Sequence, residues 1–139
     1  MAVTRWLIDK SALARASKPA VAEVLIPRID AGVIGVSVVT ELESGFSARS
    51  TADHDAVLAL IARLVPVMLP VRAEQAARQI QRLLVERGQH RAAGVPDLLV
   101  AATAQAAGLT VLHYDRDFDL VAALTGQPTE WVVPAGTAD

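Results

Sequence analysis

The sequence predicts an α/β fold in which helices cover both faces of a short, parallel central sheet, giving three layers. Short apolar runs alternate with longer amphipathic segments along the chain, which is typical of strands joined by crossover helices. Acidic residues follow several of these runs, at the edge where the carboxyl ends of parallel strands gather. With 139 residues and neither a long linker nor an internal repeat, the chain is expected to form one domain over residues 1–139.

Apolar periodicity, with glycine and proline as punctuation, predicts the elements of the first half of the chain. In order, these are a strand over residues 3–8, a helix over 11–16 that resumes over 20–30, a strand over 33–36, a helix from 38 to about 48, a helix over 51–64 and an extended segment over 65–70. Lys18 and Pro19 interrupt the first helix, because proline removes a backbone hydrogen bond. Gly32 ends it, and Ser37 is the predicted N-cap of the next helix.

The second half of the chain continues the alternation of helices and strands. In order, it predicts a helix over 73–87, a loop over 89–95, a helix over 96–107, a strand over 109–112, a helix over 115–124 and a final strand over 130–133. Gly88 and Gly108 follow the first two of these helices, as glycine commonly does at helix carboxyl ends. Pro96 suits the first turn of its helix, where no backbone donor is needed.

Five acidic side chains follow the predicted strands or lie in the helices after them: Asp9, Glu41, Asp97, Asp115 and Asp117. In a parallel sheet such residues can converge on one edge. Like charges repel, and a hard divalent cation with oxygen ligands is the usual means of holding them together. Metal-assisted phosphodiester chemistry is therefore the leading hypothesis.

Each of these acids also has a purely structural interpretation. Asp9, Asp97, Asp115 and Asp117 lie at N-cap or first-turn positions, where a carboxylate caps the helix or interacts with its dipole. Glu41 lies inside a helix among apolar residues, and a solvated helix face is its alternative. The two interpretations stay open for each residue alone, and the joint occurrence of all five favours a site.

Composition excludes several classes of function. A net charge of −2 and a pI near 5.9 argue against a nucleic-acid binder of the basic-patch type. Cysteine is absent, which excludes disulfides and thiolate metal sites. No apolar run approaches the ~20 residues of a spanning helix or forms a signal-peptide core, so a cytoplasmic protein without a membrane partner is expected. The apolar content of 53% indicates both deeply buried strands and an apolar face that a partner covers.

Four segments, taken in order, resemble the acidic motifs of PIN-domain ribonucleases, and most of all those of VapC-type toxins from bacterial type II toxin–antitoxin systems. The segments are LIDKSAL at 7–13, SVVTEL at 37–42, PDLLVAATA at 96–104 and LHYDRDF at 112–118. The resemblance covers nearly the whole chain and implies a PIN-like fold. It also implies that Asp9, Glu41, Asp97 and Asp115 bind Mg²⁺ or Mn²⁺, with Asp117 as a frequent fifth acid.

The same resemblance implies a function. Such proteins are metal-dependent endoribonucleases that cleave structured cellular RNA, either tRNA or rRNA, and so inhibit translation. They form homodimers and are neutralised by a VapB-type antitoxin, whose carboxyl-terminal segment lies in an apolar groove. Helices 20–30 and 51–64 are candidates for that groove, and ordinary core packing is their alternative; the apolar residues concerned are Val21, Val24, Leu25, Val57, Leu60 and Ile61.

Other polar residues are candidates for contacts around the acids. Ser11 matches the small hydroxyl residue that lies beside the metal site in the family. Arg116 stands between two acids, and its guanidinium suits phosphate; a surface position is its alternative. Three further arginines are predicted near the acidic edge: Arg15, Arg87 and Arg91.

Two positions depart from the resemblance, and two rival classes remain. Many family members have Thr or Ala in place of Lys10 and Thr in place of His113. Lys10 contacts either substrate phosphate or solvent, and His113 either supports the site or packs in the fold. A phosphoryl-accepting receiver domain needs a lysine late in the chain, whereas the lysines here are Lys10 and Lys18. A catalytically inactive PIN-like module that binds RNA or protein is the other alternative.

Overall fold

The computed structural model describes residues 2–139 and confirms an α/β fold. Its elements, in chain order, are β1 (Trp6–Ile8), α1 (Lys10–Leu13), α2 (Pro19–Asp30), β2 (Ile34–Val36), α3 (Val38–Phe46), α4 (Thr51–Ile61), β3 (Val65–Pro66), α5 (Val71–Glu86), α6 (Val95–Ala107), β4 (Thr110–His113), α7 (Asp117–Thr125) and β5 (Thr129–Trp131). Every strand pairing is parallel, and the order across the sheet is β3-β2-β1-β4-β5. The central strands β1 and β4 therefore end side by side, and the residues after them meet at one edge.

The helices form one layer on each face of the sheet, as predicted. Successive strand residues point to opposite faces, and Leu7 of β1 packs with Val111 of β4 against α5, α6 and α7. The next pair in register, Ile8 and Leu112, packs against α1 and α2 on the other face. These four side chains are fully buried, and each contributes about 1.5–3 kcal/mol through removal from water. The sheet is thus buried on both sides, which accounts for much of the high apolar content.

Most predicted elements are present, with shorter strands and shifted ends. The first strand begins at Trp6, and the helix expected over 11–16 is the single short α1. The helix expected from Asp115 begins instead at Asp117, because the Asp115 side chain turns back to accept a hydrogen bond from the Asp117 N–H at 2.9 Å. Asp115 therefore lies in the turn after β4, where its carboxylate faces the edge of the sheet.

Helix α3 is attached to β1 by a buried hydrogen bond. The Thr40 hydroxyl donates to the Ile8 carbonyl at 3.1 Å, so the inner face of α3 is fixed immediately beside Asp9. Ser37 occupies the N-cap position as predicted, although its side chain makes no capping hydrogen bond. Among the helices of residues 2–139, none has both the length and the apolar character that crossing a membrane requires.

Candidate metal centre at the carboxyl edge of the sheet

Asp9 both caps α1 and leaves one carboxylate oxygen available. It is 3% exposed, and its Oδ2 accepts from the Ser11 N–H at 2.9 Å and from the Ser11 hydroxyl at 2.7 Å. Its Oδ1 is buried and finds no hydrogen-bond partner among residues 2–139. Burial raises the pKa of Asp9, and the charge of Asp115 raises it further, against the lowering effect of Ser11. The capping and metal-site interpretations of Asp9 are therefore compatible, because Oδ2 caps the helix and Oδ1 is available for a cation.

Three further acids converge beside Asp9. Asp97, Asp115 and Asp117 each offer a carboxylate oxygen within 4.8 Å of the other two. Asp97 lies in the first turn of α6, where its Oδ2 accepts from the Gly94 N–H at 3.0 Å. Burial raises the pKa of Asp97 to about 7, with smaller contributions from neighbouring carboxylates. Four of the five acids expected from the sequence thus lie at one edge of the sheet.

The structure adds an acid that the sequence analysis did not select, Glu43 of α3. Its Oε1 is buried and lacks a hydrogen-bond partner within the described part of the chain. Burial raises the pKa of Glu43 and the charge of Asp9 adds to this, while Lys10 lowers it. Its charge in turn contributes to the raised pKa of Asp97. Glu43 therefore belongs to the same electrostatic cluster.

Glu41, by contrast, is placed away from that cluster. It lines a groove on the β3 side of α3, whose other walls include Ile61 and Met68. Successive helix residues are about 100° apart, so Glu41 and Glu43 flank the buried face of α3 on opposite sides. Because β1 lies on one side of β2 and β3 on the other, only Glu43 leans towards Asp9. The acid that α3 contributes to the cluster is therefore Glu43 in place of the expected Glu41.

The polar residues expected around the acids have distinct positions. Ser11 holds Asp9 and also accepts from the Tyr114 N–H at 2.8 Å, so it links β1 to β4. Arg116 is exposed, and its charge partly offsets the rise that burial and the charge of Asp115 give to the pKa of Asp117. Lys10 donates to the Ser47 hydroxyl at 2.5 Å, which directs the ammonium group across to the end of α3.

His113 is a packed core residue that also supports Asp115. It is fully buried, with Phe118 and Trp131 on two sides at ring-centroid distances of 5.0 Å. Its Nδ1 accepts from the Asp115 N–H at 3.1 Å. Burial lowers the pKa of His113 to about 4, so the ring is neutral and able to accept that bond. His113 thus fixes the backbone of one acid without facing the cluster as a charged group.

The donor set fits a hard divalent cation. All the converging groups are carboxylates, which Mg²⁺ and Mn²⁺ prefer as ligands. Asp9 Oδ1 and Glu43 Oε1 are buried oxygens without a partner among residues 2–139, and a buried polar atom left in this way is unfavourable. Burial raises the pKa of four of the clustered carboxyl groups, and neighbouring carboxylates raise it further.

A parallel α/β domain with clustered acids at the carboxyl edge of its sheet is typical of proteins that bind their ligands at that edge. The PIN-domain family model matches residues 3–124, and the chain therefore belongs to the PIN-domain family. Among curated relatives, ribonuclease VapC51 of Mycobacterium tuberculosis is 42% identical over 135 residues, which is 97% of this chain and 98% of the relative. Ribonuclease VapC21 of the same species is 45% identical, over 97% of this chain and 99% of the relative.

Solved structures with the same fold come from toxin–antitoxin complexes. The DNA-bound VapBC of Salmonella typhimurium matches with a TM-score of 0.75 and 21% identity, over 94% of this chain and 100% of that one. VapBC-5 of Mycobacterium tuberculosis matches with a TM-score of 0.62 and 23% identity, over 91% of this chain and 96% of that one. These similarities confirm the PIN-like fold.

Proposed function

We propose that the chain is a divalent-metal-dependent endoribonuclease toxin of the VapC type. One observation carries the proposal: the carboxylates of Asp97, Asp115 and Asp117 offer oxygens within 4.8 Å of one another, beside the buried Asp9 and the partly buried Glu43. The curated relatives named as VapC ribonucleases, which match over nearly their whole length, support the same activity.

The acids divide into two roles in this proposal. Asp9, Asp97, Asp115 and Asp117 would hold Mg²⁺ or Mn²⁺, directly or through water. The bound cation supplies charge neutralisation at the phosphate and lowers the pKa of a water molecule. Glu43, with its raised pKa, is suited to accept the proton of the attacking water. Hydrolysis of this kind leaves a 5′-phosphate and a 3′-hydroxyl and does not use the ribose 2′-hydroxyl.

The substrate proposed is structured RNA, either tRNA or rRNA. Single-strand readers present aromatic side chains on which bases stack, whereas here Tyr114 and Phe118 are buried and Phe46, 92% exposed, is the prominent exposed aromatic residue. Recognition by shape and backbone contacts suits this surface better. Arg116, exposed between two of the acids, is the candidate phosphate contact. An RNA of the translation apparatus would place the activity in the cytoplasm.

A VapB-type antitoxin is the proposed inhibitor, and an apolar groove beside α1 is its candidate binding site. A cavity of about 170 Å³ between α1, α3 and α4 is lined by Leu13, Val57 and Leu60, with Lys10 at one end. Of the groove residues expected from the sequence, Val57 and Leu60 line this cavity, whereas Val21, Leu25 and Ile61 are buried in the core. The solved relatives are themselves VapBC complexes.

A homodimer is proposed from the apolar surface that remains exposed. Leu42 and Phe46 on α3 are 67% and 92% exposed, and Val95 at the start of α6 is 63% exposed. Pro96 and Leu99 join Leu42 and Phe46 around one shared cavity. Apolar side chains grouped in this way commonly mark an interface between proteins.

The test of this function compares two glutamates on one helix. Purified protein is incubated with total bacterial RNA in Mg²⁺ or Mn²⁺, and the new 5′ ends are sequenced. Wild type and Glu41→Gln are expected to give the same discrete cuts, while Glu43→Gln and Asp97→Asn lose at least about 100-fold in rate, the range of a lost proton-transfer or charge-stabilising group. EDTA abolishes the cuts.

Two outcomes would contradict the proposal. Cuts that survive Asp97→Asn would show a contaminating nuclease. Folded wild-type protein that gives no cuts, yet binds RNA, would make the chain an inactive PIN-like binding module.

A further inference from the structure

Arg15 joins three separate parts of the chain behind the acidic cluster. Its Nη1 donates to the Ser11 carbonyl at 2.8 Å, and its Nε donates to the Ala138 carbonyl at 2.9 Å. The guanidinium carbon lies 4.5 Å from the centre of the Tyr114 ring. The ion pairs found within residues 2–139 do not involve Arg15, so this half-buried cation is satisfied by carbonyls and an aromatic face.

Of the residues that Arg15 contacts, Ser11 holds Asp9 directly and Tyr114 holds Ser11. The Ser11 hydroxyl accepts from the Tyr114 N–H at 2.8 Å and donates to Asp9 Oδ2 at 2.7 Å. The Ser11 N–H donates to the same oxygen at 2.9 Å. One oxygen of Asp9 is thus fixed by this network, which leaves Oδ1 as the buried oxygen without a partner in the described chain.

The carboxyl-terminal segment, with Ala138 and Asp139, is also part of this hydrogen-bond network. The Tyr114 hydroxyl accepts from the Ala138 N–H at 2.9 Å and donates to Asp139 Oδ1 at 2.8 Å. Ala138 is 4% exposed, so this segment is packed against the Tyr114 ring. Arg15 is the side chain that reaches the Ser11 carbonyl, the Tyr114 ring and the Ala138 carbonyl at once.

We infer that Arg15 is a positioning residue for the metal site: by holding Ser11 against Tyr114 it fixes Asp9 so that Oδ1 points to the cation. This inference rests on the proposed function. None of the hydrogen bonds or ion pairs of Arg15 involves an acid of the cluster, so its effect passes through Ser11 and Tyr114. The planar guanidinium donates from Nη1 and Nε in fixed directions while it lies over the ring, a geometry that the compact ammonium of lysine does not reproduce.

Mn²⁺ binding, measured from the electron paramagnetic resonance signal of the free ion, tests this without relying on activity. Arg15→Gln is expected to weaken Mn²⁺ affinity about 10-fold or more, the usual loss when a residue supporting a metal ligand is removed. Arg15→Lys keeps the positive charge but not the planar guanidinium, and an intermediate loss of Mn²⁺ affinity is expected. If Arg15→Gln folds poorly, the Mn²⁺ affinity of Arg15→Lys is the measurement that tests the inference.

Arg28→Gln is the matched control. Arg28 also lies over an aromatic ring, that of Trp6 at 4.1 Å, and it pairs with Glu130 at 2.6 Å. It stands at the opposite end of β1 from Asp9. Its loss is expected to lower thermal stability while Mn²⁺ affinity stays that of the wild type.

The RNA cleavage assay separates positioning from substrate contact. In Arg15→Gln the Mn²⁺ concentration for half-maximal rate is expected to rise, while KM for RNA at saturating Mn²⁺ is unchanged. A raised KM that persists at saturating Mn²⁺ would make Arg15 a phosphate contact and overturn the inference. Wild-type affinity in both Arg15 variants, or an equal loss in Arg28→Gln, would overturn it too.

Failure of the proposed function has a different signature. Asp9→Asn is the positive control for the site, and it should bind Mn²⁺ far more weakly than the wild type. If the wild type does not bind Mn²⁺, or if Asp9→Asn binds it equally well, the proposed metal site is refuted and the inference falls with it. Wild-type binding that is lost in Asp9→Asn but retained in the Arg15 variants refutes the inference alone.

Discussion

Asp97→Asn should stabilise the metal-free protein while it removes a metal ligand. Burial raises the pKa of Asp97 from 3.8 to about 7, so the folded state holds a proton that the unfolded state releases. Folding stability therefore falls as pH rises from about 4 to about 7, and the full penalty is present above pH 7. Asparagine is neutral at every pH, so the variant does not lose stability in this way. In the wild type the Gly94 N–H donates to Asp97 Oδ2 at 3.0 Å. The carboxamide oxygen of the asparagine is expected to accept the same hydrogen bond.

The size of the effect follows from the pKa shift. A shift of this size corresponds to about 4 kcal/mol, which we reduce to about 2–3 kcal/mol because Asp97 is partly exposed and solvent screens its charge. For a chain of this length that is roughly 10 °C in Tm. Asp97→Ala loses the cap as well and should gain about 1 kcal/mol less.

Chemical denaturation in EDTA at pH 4.5 and pH 8 is the assay. We expect Asp97→Asn to match the wild type within about 1 kcal/mol at pH 4.5, and to exceed it by about 2–3 kcal/mol at pH 8. Saturating Mg²⁺ should then stabilise the wild type and not the variant, because only the wild type binds the ion. Equal stability at pH 8 in EDTA, or the same gain at both pH values, would refute the electrostatic account of this cluster.

Three other features of the fold yield predictions. Burial lowers the pKa of His113 to about 4, so His113 takes up a proton in the unfolded state before it does so in the folded state as pH falls from 6.5. The free energy of unfolding of the wild type should therefore fall relative to that of His113→Gln by about 3 kcal/mol between pH 6.5 and pH 4. Urea titrations at the two pH values measure this difference. Gly35→Ala places a Cβ 2.5 Å from Val67 Cγ2 and 3.1 Å from Thr4 Cγ2, and should lower the free energy of unfolding by about 1–3 kcal/mol; an unchanged urea midpoint would contradict the close packing of β2. Phe46→Glu should convert the proposed dimer to a folded monomer in light scattering, with a Tm that no longer depends on protein concentration, whereas a variant that remains dimeric would place the interface elsewhere.

The sequence was sufficient to predict the layers of the fold and the convergence of four of the five expected acids at one edge of the sheet. Strand ends can be located to within a few residues from apolar runs, and Asp9, Asp97 and Asp115 stand directly at such ends or at a helix start. Residues that directly follow the carboxyl ends of adjacent central strands lie close together in a parallel sheet. Boundaries failed where side chains decided them, as at Asp115, whose carboxylate accepts a hydrogen bond from Asp117 and delays α7.

The choice between Glu41 and Glu43 needed information that local sequence does not contain. Both lie in α3, two residues apart, and the motif alone favoured Glu41. The rotation of α3 is set by Thr40, whose hydroxyl donates to the Ile8 carbonyl, and the strand order decides which flank of the helix faces Asp9. Neither fact follows from periodicity within residues 37–48, because each depends on a strand distant in the chain. The sequence did contain one indication of this: if Thr40 faces inward, the residue one turn later on the side of α6 is Glu43. Comparing the RNA cleavage rates of Glu43→Gln and Glu41→Gln tests that geometry directly.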